Sequence, residues 1–394
     1  MYYDVIIVGG GLAGLYTAYN LPKHLRVCIL EKYTLGGKAD TYHDAVMTVE
    51  AGAARFSRKH VHLMQLLRDL GLDGKMTPIP SGPATFVSVD GAAPINGQQL
   101  WARLKKNATK RKATKDITLG EFARENLTPE EYRVLVGSFG YSAEFDLMNA
   151  ADAMRLMEEY DQAFFVLKGG LSQMVHRLVG ELDHVDMFKE HATTVRYLNR
   201  HCIVSTKDGM VYQGRACVMA MPRTALEKFA LFKSLKPKLA MIKTSPLCRI
   251  YAQCPSGMFT KKITTDNDLG FVIPITKNVV LASYTDAKYA NRWKQVLDTG
   301  GVREISKKLT ADLAEAGMKA TFKHVKVFYW PEGVGYWGVG ADSKALEREF
   351  LHPFPEIPVY VCGENYSHDH QQWMEGALNT AHKVAVLLRK DTNR

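Results

Sequence analysis

The chain has 394 residues, of which 46% are hydrophobic and 23% are charged. This length and balance are typical of a soluble globular protein and are sufficient for two large cores. The six cysteines form no CxxC pair and no dense framework, which argues against a disulfide-stabilised scaffold. We therefore expect reduced thiols, mostly buried in strands, in an intracellular protein.

The formal net charge of +10 is partly concentrated in one short stretch. Within residues 103–115 the basic side chains are Arg103, Lys105, Lys106, Lys110, Arg111, Lys112 and Lys115. Such a run is most often a solvated face, and this is the preferred interpretation. The alternative is attraction of an anionic partner, including nucleic acid.

Residues 4–31 contain the parts of a nucleotide-binding unit in the required order. A short apolar run, Asp4–Val8, is typical of a buried parallel strand. A GxGxxG motif follows, with Gly9, Gly11 and Gly14. These glycines allow a tight turn, close approach of the backbone to a pyrophosphate, and close packing of the next helix. That helix is predicted over Leu12–Leu21, with its N-terminus directed at the phosphates.

A second apolar run, Arg26–Leu30, is predicted to be the next strand, and Glu31 follows it 22 residues after the first glycine. A carboxylate there can accept hydrogen bonds from both ribose hydroxyls and favours an unphosphorylated ribose. GxGxxG alone is common, and an apolar stretch of this length could instead span a membrane. Asp4, Asn20, Lys23 and the glycines argue against a spanning helix, so we predict dinucleotide binding.

The motif begins four residues into the chain, which leaves no room for a signal or transit peptide. No other run resembles a membrane span. We therefore expect a cytoplasmic protein without a membrane segment, and no metal ligands are predicted.

A second glycine pair follows soon after Glu31, in Gly36-Gly37-Lys38, with Thr41 close behind. A fold that binds only a nicotinamide dinucleotide usually continues here toward another crossover helix. A long cofactor lying across the sheet would instead need backbone to pass close to its ribityl and phosphate groups. The glycine pair favours the long cofactor, and an ordinary hairpin turn is the alternative.

Further segments extend this pattern: VEAGAARF at Val49–Phe56, then Gly363-Glu364 and Trp373–Ala377 near the C-terminus. Together with the two glycine motifs, they resemble the flavin-dependent amine oxidases, a family that includes monoamine, polyamine and L-amino-acid oxidases. The resemblance is strong over residues 4–57 and 359–386, and it is weak in the segments expected to contact substrate. Lys38 departs from the pattern, because the family usually has Arg there.

The resemblance implies an α/β fold with a Rossmann-like FAD-binding domain and a discontinuous α+β substrate domain. The predicted FAD-binding domain is assembled from residues 1–78, 166–230 and 335–394, and the substrate domain from residues 79–165 and 231–334. Within the first substrate segment, residues 100–155 are predicted to be mainly helical, with Thr118 and Thr128 as N-caps. Non-covalent FAD is expected, because covalently attached members carry a Cys in the penultimate segment and none occurs between Lys326 and Val361.

The resemblance also implies a set of cofactor-binding residues. They are Gly9, Gly11, Leu12, Ala13, Gly14, Glu31, Lys32, Gly37, Lys38, Gly52, Ala53, Ala54, Arg55, Val195, Gly363, Glu364, Trp373, Met374 and Ala377. The final helix is predicted over Gly376–Leu388, and its first N–H groups would face the N1–C2 edge of the flavin.

Aromatic and basic side chains are predicted at the substrate end. Arg55 is the predicted partner of a substrate carboxylate, with a surface or phosphate-contacting role as the alternative. Trp373 would form one aromatic wall beside the flavin, and Tyr336 and Trp337 are predicted for the opposite wall. Trp330 is expected to pack in the core.

Arg249, in the strand RIYAQC, is assigned to the place where amine oxidases carry a Lys that holds a water near the flavin. Lys243 lies six residues upstream and is the alternative for that place. An Arg stays protonated, so Arg249 could position water or stabilise reduced flavin but could not accept a proton.

The family implies oxidative deamination: hydride transfer from the carbon bearing a neutral amine to the flavin, hydrolysis of the imine, and reduction of O2 to H2O2. The sequence Gly-Ala-x-Arg-Phe at residues 52–56 is most similar to the amino-acid oxidases, so an L-amino acid is the predicted substrate. One alternative is a mono- or polyamine oxidase, and another is a desaturase or dehydrogenase acting on an apolar skeleton. A third is a flavin-containing protein associated with nucleic acid or chromatin.

Overall fold

The computed structural model describes residues 1–79, 84–89, 91, 96–110, 115–156 and 163–392. Its strands are β1 Tyr2–Val8, β2 Val27–Glu31, β3 Thr41–His43, β4 Thr48–Glu50, β5 Phe56–Ser57, β6 Met76–Pro78, β7 Thr85–Val87, β8 Phe164–Leu167, β9 Val185–Lys189, β10 Ala192–Leu198, β11 His201–Thr206, β12 Val211–Met219, β13 Ile242–Gln253, β14 Ile263–Thr265, β15 Phe271–Pro274, β16 Val279–Asp286, β17 Lys323–Trp337 and β18 Val359–Val361. Its helices are α1 Leu12–Tyr19, α2 Val61–Asp69, α3 Gly97–Lys110, α4 Leu119–Asn126, α5 Pro129–Phe139, α6 Ala143–Leu147, α7 Ala150–Leu156, α8 Ser172–Gly180, α9 Arg223–Leu226, α10 Lys236–Leu239, α11 Ala287–Glu315, α12 Ser343–Leu351 and α13 Met374–Thr392.

The first sheet has the strand order β10-β11-β12-β1-β2-β9, and β18 pairs with the last residues of β12. β1 runs parallel to both β12 and β2, so its apolar run is covered on both faces. Val5 and Ile7 pack with α1, α2, α8 and α13, whereas Ile6 and Val8 pack with α12 and residues 226–239. The predicted Rossmann-like α/β fold is confirmed.

The second sheet has the order β17-β13-β16-β15-β14-β7. Successive residues of β13 alternate between two environments, as a pleated strand requires. Cys248 and Ile250 belong to a core shared with α11, while Leu247 and Arg249 line a cavity on the other face. The domain division predicted after residue 334 falls inside β17, which stays paired with β13 as far as Trp337.

Helices α3 to α7 form a separate cluster around their own apolar core. Thr118 and Thr128 are the N-caps of α4 and α5, as predicted, and each forms a capping box with the Glu three residues later. Of the helices in the described ranges, none is long and apolar enough to cross a membrane.

Candidate active site

A cavity of about 750 Å³ lies where the first sheet meets the second. At one end it is bordered by the ends of β1 and β2 and by the loops that follow them. At the other end it is bordered by side chains of β13, β16 and β17. A ligand in this cavity would therefore contact both sheets, which is a common location for a binding site in α/β proteins.

The cavity collects most of the predicted cofactor residues. Those that line it are Gly9, Gly11, Leu12, Ala13, Glu31, Lys32, Gly37, Lys38, Gly52, Ala53, Ala54, Arg55, Gly363, Glu364, Trp373, Met374 and Ala377. Gly14 lies behind the loop, where a Cβ would come within 1.9 Å of the carbonyl oxygen of Gly9, so its role is close packing of α1. Val195 is a correction: this residue of β10 is buried in the hydrophobic core, and Ala192 and Thr193 line the cavity instead.

The glycine loop has the shape that a pyrophosphate requires. Gly9 has φ +111°, and a Cβ there would lie 2.3 Å from the carbonyl oxygen of Ala220, so no other residue fits. A Cβ on Gly11 would meet no protein atom within 4 Å, which leaves open space beside the N-terminus of α1. The loop thus fits a phosphate group approaching the backbone N–H groups of this helix.

Glu31 is held by the backbone at the end of β2. Its carboxylate accepts hydrogen bonds from the N–H groups of Gly10 (2.6 Å) and Tyr33 (2.7 Å). These bonds fix the side chain at the cavity wall, where one carboxylate can bind ribose hydroxyls.

The second glycine pair packs against the first glycine loop. The N–H of Gly36 donates to the carbonyl of Gly10 at 2.8 Å, and a Cβ on Gly37 would lie 3.3 Å from the Cα of Gly11. Lys38 reaches across to β17, donating to the carbonyls of Gly333 (2.8 Å) and Glu332 (3.2 Å). The pair is therefore part of the cavity wall, as expected for a long cofactor, and not an isolated hairpin turn.

The C-terminal motif closes the same cavity. Glu364 accepts hydrogen bonds from the N–H groups of Gly335 (3.0 Å) and Gln372 (3.2 Å), which join β17 to the loop before α13. Because α13 begins at Met374, its first turn lies at the cavity. The N-terminus of a helix there favours negative charge on a bound ring.

Trp373 belongs to an aromatic wall at the substrate end. Its ring stacks on Phe164, with centroids 5.3 Å apart and planes 8° from parallel. The guanidinium of Arg55 lies 5.0 Å from the Phe164 centroid and 5.6 Å from the Trp373 centroid. Arg55 thus reaches the cavity beside an aromatic pair, and its predicted contact with a substrate carboxylate stays a prediction.

The aromatic residues of β17 divide between the two faces of the strand. Trp330 and Tyr336, which are six residues apart, both line the cavity. Trp337 has no solvent exposure and packs in the core, where its indole N–H donates to the carbonyl of Ser367 at 2.9 Å. The structure contradicts the predicted wall role of Trp337 and the predicted core role of Trp330, because Trp337 packs in the core while Trp330 borders the cavity.

Arg249 lies on the cavity face of β13 with only 7% of its surface exposed. Its guanidinium lies 4.5 Å from the ring centroid of Tyr284, which is its partner on β16. Burial acts to raise the pKa of Tyr284, but the charge and hydrogen bond of Arg249 outweigh it, and this pKa is lowered. Lys243, the alternative, is directed away and donates to the carbonyl of Ala240, so it does not replace Arg249.

Sequence reasoning missed several side chains of this wall, namely Tyr141, Glu144, Leu247 and Tyr284. Tyr284 could have been found by pairing β16 with the strand of Arg249. Tyr141 and Glu144 carry no motif, and they reach the cavity because the buried Asp286 accepts hydrogen bonds from the N–H groups of Ser142 (3.0 Å) and Ala143 (2.8 Å).

The glycine loop, the carboxylate of Glu31 and the aromatic end of one continuous cavity define an FAD-dependent oxidoreductase. The sequence model of the flavin-containing amine oxidoreductases matches residues 12–389, and the chain belongs to this family.

Solved structures share the fold over its full length. Cyclohexylamine oxidase from Brevibacterium oxydans IH-35A is 17% identical, with a TM-score of 0.79 and full coverage of both chains. Putrescine oxidase bound to putrescine is 15% identical, again with a TM-score of 0.79 and full coverage of both chains. A protein from Exiguobacterium sp. 255-15 assigned as a protoporphyrinogen oxidase is 17% identical, with a TM-score of 0.75, covering 98% of this chain and 99% of that one.

Proposed function

We propose that this protein oxidises the C–N bond of an L-amino acid, with O2 as the final electron acceptor and a non-covalently bound FAD. One observation carries the choice of substrate: two arginines, Arg55 and Arg249, line the aromatic-walled end of the cavity. A guanidinium in such a place binds a carboxylate through parallel hydrogen bonds. A substrate with both an amine and a carboxylate suits this end better than a simple amine.

The chain would supply binding, orientation and exclusion of water. The glycine loop and the N-terminus of α1 would hold the pyrophosphate, Glu31 the adenosine ribose, and the first turn of α13 the flavin ring. FAD, when bound, supplies the two-electron acceptor for the reaction. Trp373, Trp330 and Tyr336 would form a dry slot in which the neutral amine carbon faces that acceptor.

The overall conversion consumes the amino acid, O2 and water, and it yields the 2-oxo acid, ammonia and H2O2. Arg249 stays protonated, so it cannot take the proton released by the substrate ammonium. Deprotonation would leave the amine neutral, which is the form that can be oxidised.

Non-covalent attachment is supported by the positions of the cysteines. All six are buried, and the cavity wall formed by the described residues contains none of them. Cys362 lies next to the wall residue Gly363, but its Sγ lies 3.6 Å from the hydroxyl of Thr17 within the core. Acid precipitation should therefore release all of the yellow flavin from the protein.

A second candidate is a mono- or polyamine oxidase. It is favoured by Glu144, a buried carboxylate in the cavity wall that would suit a second ammonium group. A desaturase or dehydrogenase acting on an apolar skeleton would not require the charged side chains Arg55, Arg249 and Glu144 in the cavity wall.

The deciding experiment compares each amino acid with its own decarboxylated amine. H2O2 production should be faster from the acid by at least about thirty-fold in kcat/KM, because removing one partner of a buried charge pair costs on the order of 2–5 kcal/mol. If the amines, and diamines above all, are oxidised as well as the acids, the second candidate replaces the first. If neither class yields H2O2, amine oxidation itself is excluded.

A further inference from the structure

Arg249 is a buried cation that the described protein atoms solvate poorly. One terminal nitrogen, Nη1, donates to the backbone carbonyl of Glu50 at 3.3 Å and to the hydroxyl of Tyr251 at 3.4 Å. The other, Nη2, donates to the hydroxyl of Tyr284 at 3.3 Å. All three acceptors are neutral, and all three distances are at the long end for N–H···O bonds.

The carboxylate of Glu50 feels the charge of Arg249, which acts to lower its pKa, but it hydrogen-bonds to other groups. The side chain of Glu50 accepts hydrogen bonds from the N–H of Leu171 (2.9 Å) and the hydroxyl of Thr41 (2.9 Å), and burial raises its pKa to about 7. Glu144 is a second buried carboxylate in the wall of the same cavity. A buried guanidinium whose hydrogen-bond acceptors are all neutral is poorly compensated, so Arg249 is suited to an anion supplied by a ligand.

The geometry of the unused donors matches one kind of anion. A guanidinium has five N–H donors in a plane, and Arg249 uses three of them on described protein atoms. The remaining two, the Nε–H and one of the two Nη2–H groups, make no hydrogen bond to described protein atoms. Two parallel N–H groups on one edge are what a carboxylate binds in bidentate fashion.

Arg55 differs from Arg249 in its surroundings. Its guanidinium is placed against the faces of Phe164 and Trp373, where cation–π contacts already offset its charge. Burial and the positive charge of Arg55 together lower the pKa of Lys262, which lies nearby. Arg55 and Lys262 thus add positive charge to an end that also carries the carboxylate of Glu144, and Arg249 is the cavity cation with N–H donors that described protein atoms leave unused.

We propose that Arg249, oriented by the hydroxyl of Tyr284, is the residue that binds the carboxylate of the substrate, and that Arg55 contributes only to the surrounding positive field. This assignment rests on the proposed function for the identity of the substrate, but the subsite itself is formed by protein side chains and needs no turnover. It therefore predicts binding of unreactive carboxylates.

The test uses the FAD-loaded protein with benzoate and its neutral analogue benzamide, titrated by calorimetry and by the change in flavin absorbance. Wild type should bind benzoate at least about thirty-fold more tightly than benzamide. Arg249→Met should lose this preference. Arg249→Lys should bind benzoate about tenfold more weakly than wild type, because an ammonium replaces a planar guanidinium that can form two parallel hydrogen bonds. Tyr284→Phe should weaken the binding of benzoate by only a few-fold. Arg58→Met, which changes an exposed arginine outside the cavity, is the matched control.

Three results would overturn the assignment. Benzoate affinity could be unchanged in Arg249→Met, or the preference could be lost in Arg55→Met instead. Arg249→Met could also shift the flavin midpoint potential and leave benzoate binding intact, which would indicate that the charge of Arg249 stabilises the reduced flavin instead. If Arg249→Met does not fold, as judged by thermal unfolding, Arg249→Lys decides by the same measurement. Because no turnover is needed, benzoate binding without H2O2 formation would reject the proposed reaction and keep the subsite.

Discussion

At the scale of single residues, the three glycines of GxGxxG meet different demands although the motif treats them alike. Gly9 is confined by the backbone of Ala220 and by its positive φ, and Gly14 is confined by the carbonyl of Gly9. Gly11 alone faces open space in the protein. We infer that two of these glycines serve the fold and that Gly11 serves the ligand.

This difference predicts separable effects of two substitutions. Gly11→Val should give a folded but colourless protein, because the side chain fills the space of the pyrophosphate and its backbone conformation is open to any residue. Gly14→Ala should destabilise even the apoprotein by about 1–3 kcal/mol or more, because its Cβ overlaps the carbonyl of Gly9. Flavin absorbance and thermal unfolding of the two apoproteins check both expectations. A Gly11→Val protein that retains full flavin would contradict the role of this loop.

At the scale of elements, distant segments are joined by a few buried polar side chains. Glu50 ends β4 and accepts the N–H of Leu171, the N-cap residue of α8, while Thr41 and Ser172 exchange hydrogen bonds beside it. The β3–β4 hairpin is thereby fixed to the helix that follows β8. The same glutamate supplies the backbone carbonyl that accepts from Arg249, so it joins this hairpin to the second sheet as well.

Glu50 should give the protein a measurable dependence of stability on pH. Burial raises its pKa to about 7 from an ordinary value of 4.5, so the folded state binds this proton more tightly than the unfolded chain does. Its contribution to stability is complete below about pH 4.5 and is lost as the pH rises to about 7, by up to about 3 kcal/mol. Glu50→Gln keeps an oxygen that can accept the hydrogen bond from the N–H of Leu171, and it removes the carboxyl proton that titrates.

The variant should lose this part of the pH dependence, so that its stability relative to wild type rises between about pH 4.5 and 7. Urea unfolding at a series of pH values measures the change. Glu356→Gln, at an exposed position, is the control. Parallel pH profiles for wild type and Glu50→Gln would show that Glu50 does not titrate in this range.

At the scale of the whole molecule, the cavity exists only because two sheets built from interleaved segments meet. The first sheet supplies the cofactor loops and the second supplies Arg249, Tyr284 and the aromatic wall. Of the basic run at residues 103–115, the described residues Arg103, Lys105, Lys106 and Lys115 do not border this cavity, and the first three belong to α3. Arg103 pairs with Glu131 at 2.5 Å and Lys115 with Asp342 at 3.1 Å, while Arg111 and Lys112 lie outside the described residues.

These local ion pairs favour a solvated face over a nucleic-acid site, so the combined change of Lys110, Arg111 and Lys112 to Gln should leave flavin content and H2O2 production unchanged. Anisotropy of a labelled DNA duplex should show no binding that weakens steeply between about 50 and 200 mM salt. Changing the exposed Lys288, Arg303 and Lys307 of α11 to Gln is the charge-matched control. Salt-sensitive binding lost only in the first variant would instead establish an anionic partner.

The sequence by itself determined the nucleotide-binding unit, the second glycine pair, the caps at Thr118 and Thr128, and hence the fold class. Each of these features acts between residues close in the chain, so a short stretch carries the whole signal. It also identified most of the residues that line the cofactor end of the cavity.

Only the tertiary structure decided which side chains form the substrate end. The choice between Trp330 and Trp337 depends on which face of β17 meets the first sheet, and the sequence contains two plausible tryptophans. Arg249 meets Tyr284 and Glu50 across 35 and 199 residues of chain, through strand register and packing between sheets. Such contacts arise from the way the sheets pair and pack, and no local pattern encodes them.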